Sequence, residues 1–240
     1  MDAIETSPQR YARIAGLLYL IIIAFGIWSE VFVRATLIVP GDAAATADAI
    51  AASDGLLMLS FAADTVMLIA DVALAVLFFV LFRPVSRTLS AIAAAFRLIQ
   101  AAVIAAALLN QFAASWLLGG DVASGALGPE QTQALAYFFL EVHGHGYDLG
   151  LIFFGVSCLL LGALIVRSGF LPWPLGLLAM AAGVVYLVGS YTVFLLPDYA
   201  ETVQPIYVIA LVSEVALCLW LLIRGVNAER WRAAGAAAPA

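Results

Sequence analysis

Long apolar stretches alternate along this chain with short polar breaks, and the breaks carry most of the turn-forming residues. Six stretches are long enough to cross a bilayer as helices, which takes roughly 18–20 apolar residues each. They run from about Ile14 to Val39, Leu56 to Phe82, Leu89 to Leu118, Tyr147 to Val166, Leu175 to Leu196 and Val203 to Ile223. The punctuation agrees with this division: "PGD" follows the first, Arg83-Pro84 closes the second, "GGD" ends the third, and "LPWP" opens the fifth. Proline near helix starts and glycine just past helix ends are the expected signals. A helical lead-in from Pro129 is expected ahead of the fourth span, and an Ala-rich surface helix or an unstructured linker between Gly41 and Gly55. The pattern predicts an all-α membrane bundle of six helices. Residues 1–225 form its single domain, and 226–240 form a mobile tail at the cytoplasmic side.

Composition reinforces this reading: 65% of the residues are hydrophobic and only 11% are charged, well away from a soluble balance. The ten basic residues are all arginine. With six spans both termini lie on one side, and that side collects Arg10, Arg13, Arg83, Arg87, Arg167, Arg224, Arg230 and Arg232. The opposite loops carry Asp42, Asp48, Asp54, Asp121, Glu130, Asp198 and Glu201, with Arg34 as their one basic residue. The positive-inside rule then predicts cytoplasmic termini. The lipid bilayer is the expected partner, and nothing resembles a basic nucleic-acid face. Cys158 and Cys218 lie in apolar runs and read as packing residues.

The charges inside the spans need a reason, because each costs a few kcal/mol at the bilayer centre. At about 1.5 Å per residue, Asp71, Arg97 and Glu214 fall at a similar depth, roughly 12–17 Å from the arginine-rich face. The expectation is an ion-paired cluster joining the second, third and sixth spans. Two carboxylates would share one guanidinium there, leaving one carboxyl able to hold or release a proton. A second polar layer nearer the other face contains Asp64, Asn110, Asp148, Ser190 and Tyr191, with Glu30 at a similar level in the first span. Glu30 and Arg34 have the i, i+4 spacing of an ion pair.

Just above that layer, "EVHGHGYDLG" holds both histidines of the chain, His143 and His145, between Glu141 and Asp148. If the segment is a continuous helix, Glu141, His145 and Asp148 share one stripe and His143 points elsewhere. If Gly144 and Gly146 break it, both imidazoles can converge. Glu141, His143, His145 and Asp148 are donors suited to a divalent metal such as zinc, although they match no established zinc motif. The competing reading is a hydrogen-bonded polar cap.

Two stretches, "RIAGLLYLIIIAFGIWSEVFVR" and "HGHGYDLGLIFFGVSCLLLGALIVRSGFLPWPLGLLAMAAGVVYL", resemble the DUF4386 family of bacterial multi-pass membrane proteins. The resemblance covers about residues 10 to 225. It implies a bacterial inner-membrane location and supplies no catalytic residues. Trp173 is a departure, since a basic residue often follows the proline there in the family pattern.

Three functional classes are compatible with these residues. The favoured one is a proton-linked binder or transporter of a small molecule or ion, with an outward-facing acidic and histidine-lined cavity. Asp64, Asp71, Arg97, Asn110, Asp148 and Glu214 are its candidate ligand or proton site. The second is an intramembrane metal-dependent hydrolase. The third is a structural or sensory subunit without catalysis.

Overall fold

The computed structural model describes residues 7–119 and 127–237, and among these the chain is helical with no strand. Gly120, Asp121 and the last three residues of the expected tail lie outside the described residues. Six helices are long and apolar enough to cross a membrane: Pro8–Leu37, Leu56–Phe82, Arg87–Leu118, Pro129–Ser168, Trp173–Leu195 and Pro197–Ile223. They are called the first to sixth spans below. The chain is a multi-pass membrane protein.

Each span packs against its neighbours in sequence, and the sixth closes back on the first, so the bundle is a ring. Short connections account for the second–third, fourth–fifth and fifth–sixth contacts, since they leave antiparallel neighbours little choice of partner. Small residues set the closest seams. A Cβ on Gly162 would come within 2.5 Å of the Gly176 carbonyl, and one on Gly155 within 2.9 Å of the Gly183 carbonyl. The fourth and fifth spans therefore cross with their backbones in contact, as small residues permit in membranes. Towards the termini the ring is filled by Tyr19, Phe78, Phe82, Leu164, Leu217 and Leu221. Cys158 and Cys218 are buried free thiols.

Two local features depart from the sequence pattern, and the helical lead-in from Pro129 is present as expected. The first span is π-helical over Trp28–Arg34. The fourth span is one helix of 40 residues, so its extramembrane lead-in and its apolar half are continuous. The stretch expected as a mobile tail forms a helix, Ala228–Ala237. Trp231 docks it by donating to the Leu81 carbonyl at 2.8 Å, and Arg230 donates to the Gly169 carbonyl at 2.9 Å. The Ala-rich linker is helical over Ala43–Ala51, capped by Asp42, whose carboxylate accepts from the Ala45 N–H.

Candidate functional site

At the acidic end, the π-helical turn carries Glu30 and Arg34. A π turn widens the helix by one residue, and such turns occur often at functional positions. Here it delivers Arg34 into the bundle, where only 4% of the side chain stays exposed. Its Nε donates to Glu30 Oε2 at 2.8 Å, and its Nη1 to Asp64 Oδ2 at 2.5 Å and Gln111 Oε1 at 3.2 Å. Gln111 continues the network by donating to the Leu57 carbonyl at 3.0 Å and Ser60 Oγ at 2.9 Å. The guanidinium carbon lies 5.7 Å from the centre of the Tyr147 ring. Among the described residues six buried side-chain atoms keep no hydrogen-bond partner: Arg34 Nη2, Asp64 Oδ1, His143 Nε2 and Ser190 Oγ in the outer layer, and Nη1 and Nη2 of Arg97 deeper in the bundle. Buried polar groups are nearly always satisfied, so these orphans are a signal.

The histidine segment does not break. Gly146 and Gly150 serve close packing instead, for a Cβ at either would lie 2.6 Å from Ala107 or Ile104 of the third span. His143 enters that seam, and its Nδ1 donates to the Ala107 carbonyl at 3.1 Å, leaving Nε2 as the bare acceptor. His143 and Arg34 flank the same ring, with Tyr147 6.3 Å from the imidazole centroid. His145 faces the other way: its Nδ1 donates to the Glu141 carbonyl at 2.8 Å, and its ring meets Phe194 edge-on at 5.8 Å. Asp148 lies beside Ser190, which also neighbours Tyr207. Glu141, His143, His145 and Asp148 thus divide between two helix faces. Among the described residues no three His, Cys, Asp or Glu side chains converge as metal ligands would. Asn110 turns to its own helix and donates to the Ala107 carbonyl at 3.3 Å.

Deeper in the bundle, Arg97 pairs with Asp71, its Nε donating to Oδ1 at 2.7 Å and its Nη2 lying 2.5 Å from the same oxygen. With its amide oriented to satisfy its neighbours, Gln100 donates to Asp71 Oδ2 at 2.7 Å. The rings of Phe154, Tyr19 and Phe78 surround the guanidinium at 4.8, 5.4 and 5.9 Å. A cavity of about 10 Å³, roughly one water, lies beside it with Ser90 and Ser157 on its wall. Glu214 corrects the expected three-membered ion cluster. It makes no ion pair with Arg97 among the described residues, and its Oε1 accepts from the Tyr186 hydroxyl at 2.6 Å. The reason is that Asp71 and three aromatic rings already enclose the cation.

A cavity large enough for a ligand is present among the described residues. It opens at the acidic end, holds about 550 Å³, and is lined among others by Asp48, Leu57, Met58, Ser115, Leu118 and Thr132. Leu57 accepts from the Gln111 side chain, and Ser115 donates to the Gln111 backbone carbonyl at 3.1 Å. The cavity wall therefore connects through Gln111 to the Arg34–Asp64 pair. Gln111, Tyr147 and Tyr186 were not singled out by sequence reasoning. Gln111 sits one residue from Asn110, so only helix rotation decides which of the two faces inwards.

The model for a family described as "Domain of unknown function (DUF4386)" matches residues 14–225. The chain belongs to this family. An "Uncharacterized protein" of the archaeon Archaeoglobus fulgidus is 30% identical over 159 residues, covering 66% of this chain and 79% of the relative. No solved structure matches the chain.

Proposed function

We propose that this DUF4386 protein is a proton-linked binder of small organic cations, of the transporter type, which admits its ligand at the acidic end. One observation carries the reading: a ligand-sized cavity shares its wall with a part-buried network that carries unequal charge. Glu30 and Asp64 face the single cation Arg34, so the layer is one positive charge short. A proton or a cationic ligand supplies that charge. The cavity adds Asp48 on a mainly apolar lining, which suits a molecule with an apolar body and one positive charge. The arginines at the termini support placing that end in the cytoplasm and the cavity outside, in the cytoplasmic membrane.

Equilibrium binding of tetraphenylphosphonium, a lipophilic cation, to the detergent-purified chain tests this. Wild type should bind it in preference to a neutral analogue of the same shape. Asp48→Asn and Gln111→Leu should each weaken binding by about tenfold, the effect of losing one charged or buried polar contact. Equal affinity for the neutral analogue, or no response to either substitution, would remove the reading.

A further inference from the structure

We infer that Glu214, held by Tyr186 on the flank of the sixth span, is an exchangeable proton-binding carboxyl distinct from the Arg97–Asp71 pair. The inference deepens the proton-linked reading and rests on it for its purpose, but its test involves no ligand.

The two carboxyls of the deeper layer are not equivalent. Asp71 has both oxygens engaged, Oδ1 by Arg97 and Oδ2 by Gln100, and it is buried. In that environment a cation and an amide donor at hydrogen-bond distance compensate the carboxylate. Glu214 has one hydrogen bond, from Tyr186, and no cation at ion-pair distance among the described residues. The titratable groups that face it from the other spans are Tyr19, Asp71, Arg97, Tyr147, Cys158 and Tyr186. Arg97 is the one cation among them, and it is committed to Asp71, which is itself a like charge. An ionised carboxyl needs compensation at this depth, and a protonated one does not.

Position completes the argument. Glu214 is half-buried, and Leu211 and Val212 of the preceding turn are exposed on the bundle flank. A reagent dissolved in lipid or detergent can therefore reach Glu214, whereas Asp71 is enclosed by the ring.

Dicyclohexylcarbodiimide reports this state because it reacts with the protonated acid. The carboxyl O–H adds across one C=N bond: oxygen bonds to the central carbon and the proton goes to nitrogen. An oxygen-to-nitrogen acyl shift then leaves a stable N-acylurea with the mass of one reagent molecule. No oxidant, reductant or second nucleophile is consumed.

The experiment treats the full chain, reconstituted in phosphatidylcholine vesicles, across a pH series and maps the adduct by peptide mass spectrometry. Glu214 should carry the adduct and Asp71 should not, and Glu214→Gln should abolish it. Tyr186→Phe removes the one donor that favours the ionised form. Its labelling should persist to about one pH unit more alkaline, the tenfold change expected from one hydrogen bond to a charged group. Absence of adduct at Glu214 in folded protein would overturn the assignment, as would a pH profile unmoved by Tyr186→Phe. Labelling without tetraphenylphosphonium binding would leave this site standing and remove only the ligand reading.

Discussion

Arg34 and Arg97 are both buried guanidinium groups, and each pairs with an aspartate of the second span, Asp64 and Asp71 respectively. Those aspartates lie seven residues apart on one helix face, so the two layers are stacked versions of one device. Their surroundings differ. Arg97 spends its charge on one carboxylate inside an aromatic box, and Gln100 satisfies the remaining oxygen of that carboxylate. Arg34 divides its charge between buried Asp64 and Glu30, whose side chain is 59% exposed. The closed layer is suited to holding helices in place. The open one is suited to exchanging a partner.

Substitutions can separate these roles. The largest effect is expected from Arg97→Met, which strands Asp71 and should cost about 3–5 kcal/mol, read as a loss of thermal stability in detergent. Adding Asp71→Leu should recover most of that loss. Arg34→Met should cost less, because Glu30, one of the two partners it leaves behind, is exposed to water. Next comes Gly146→Val, which forces the third and fourth spans apart beside Ala107. It should destabilise by about 1–3 kcal/mol and reduce probe binding, while carbodiimide labelling of Glu214 persists. Gln111→Leu follows at about 1–2 kcal/mol, with a larger effect on binding than on stability. Glu30→Gln is the smallest, below about 1 kcal/mol, because an exposed partner contributes little. If Glu30→Gln proved as damaging as Arg97→Met, the contrast between open and closed layers would fail.

The six spans and their order were legible in the sequence because hydropathy and turn residues act locally. The Arg97–Asp71 pair was legible from depth alone, since both charges had to be buried at one level. What stayed hidden depends on rotation and register. Glu214 shares that depth but meets Tyr186, a partner set by how the fifth span turns. Arg34 read as the one basic residue of the acidic loops as well as Glu30's neighbour. The π-helical turn carries it inwards, and no residue pattern announces that turn. The histidines were visible as a cluster, yet a continuous helix sends His143 and His145 to different faces. Gly146 then reads as a packing surface against Ala107 rather than as a hinge.

The central claim is that a cation in the acidic-end cavity exchanges with a proton on the Arg34–Asp64 layer. The direct measurement is the number of protons released per tetraphenylphosphonium bound, followed with a pH indicator in weakly buffered detergent solution. The account predicts release of about one proton or less per probe, as linkage requires when a cation displaces a proton, and loss of that release in Asp64→Asn. Binding without proton release, or release unchanged in Asp64→Asn, would contradict it.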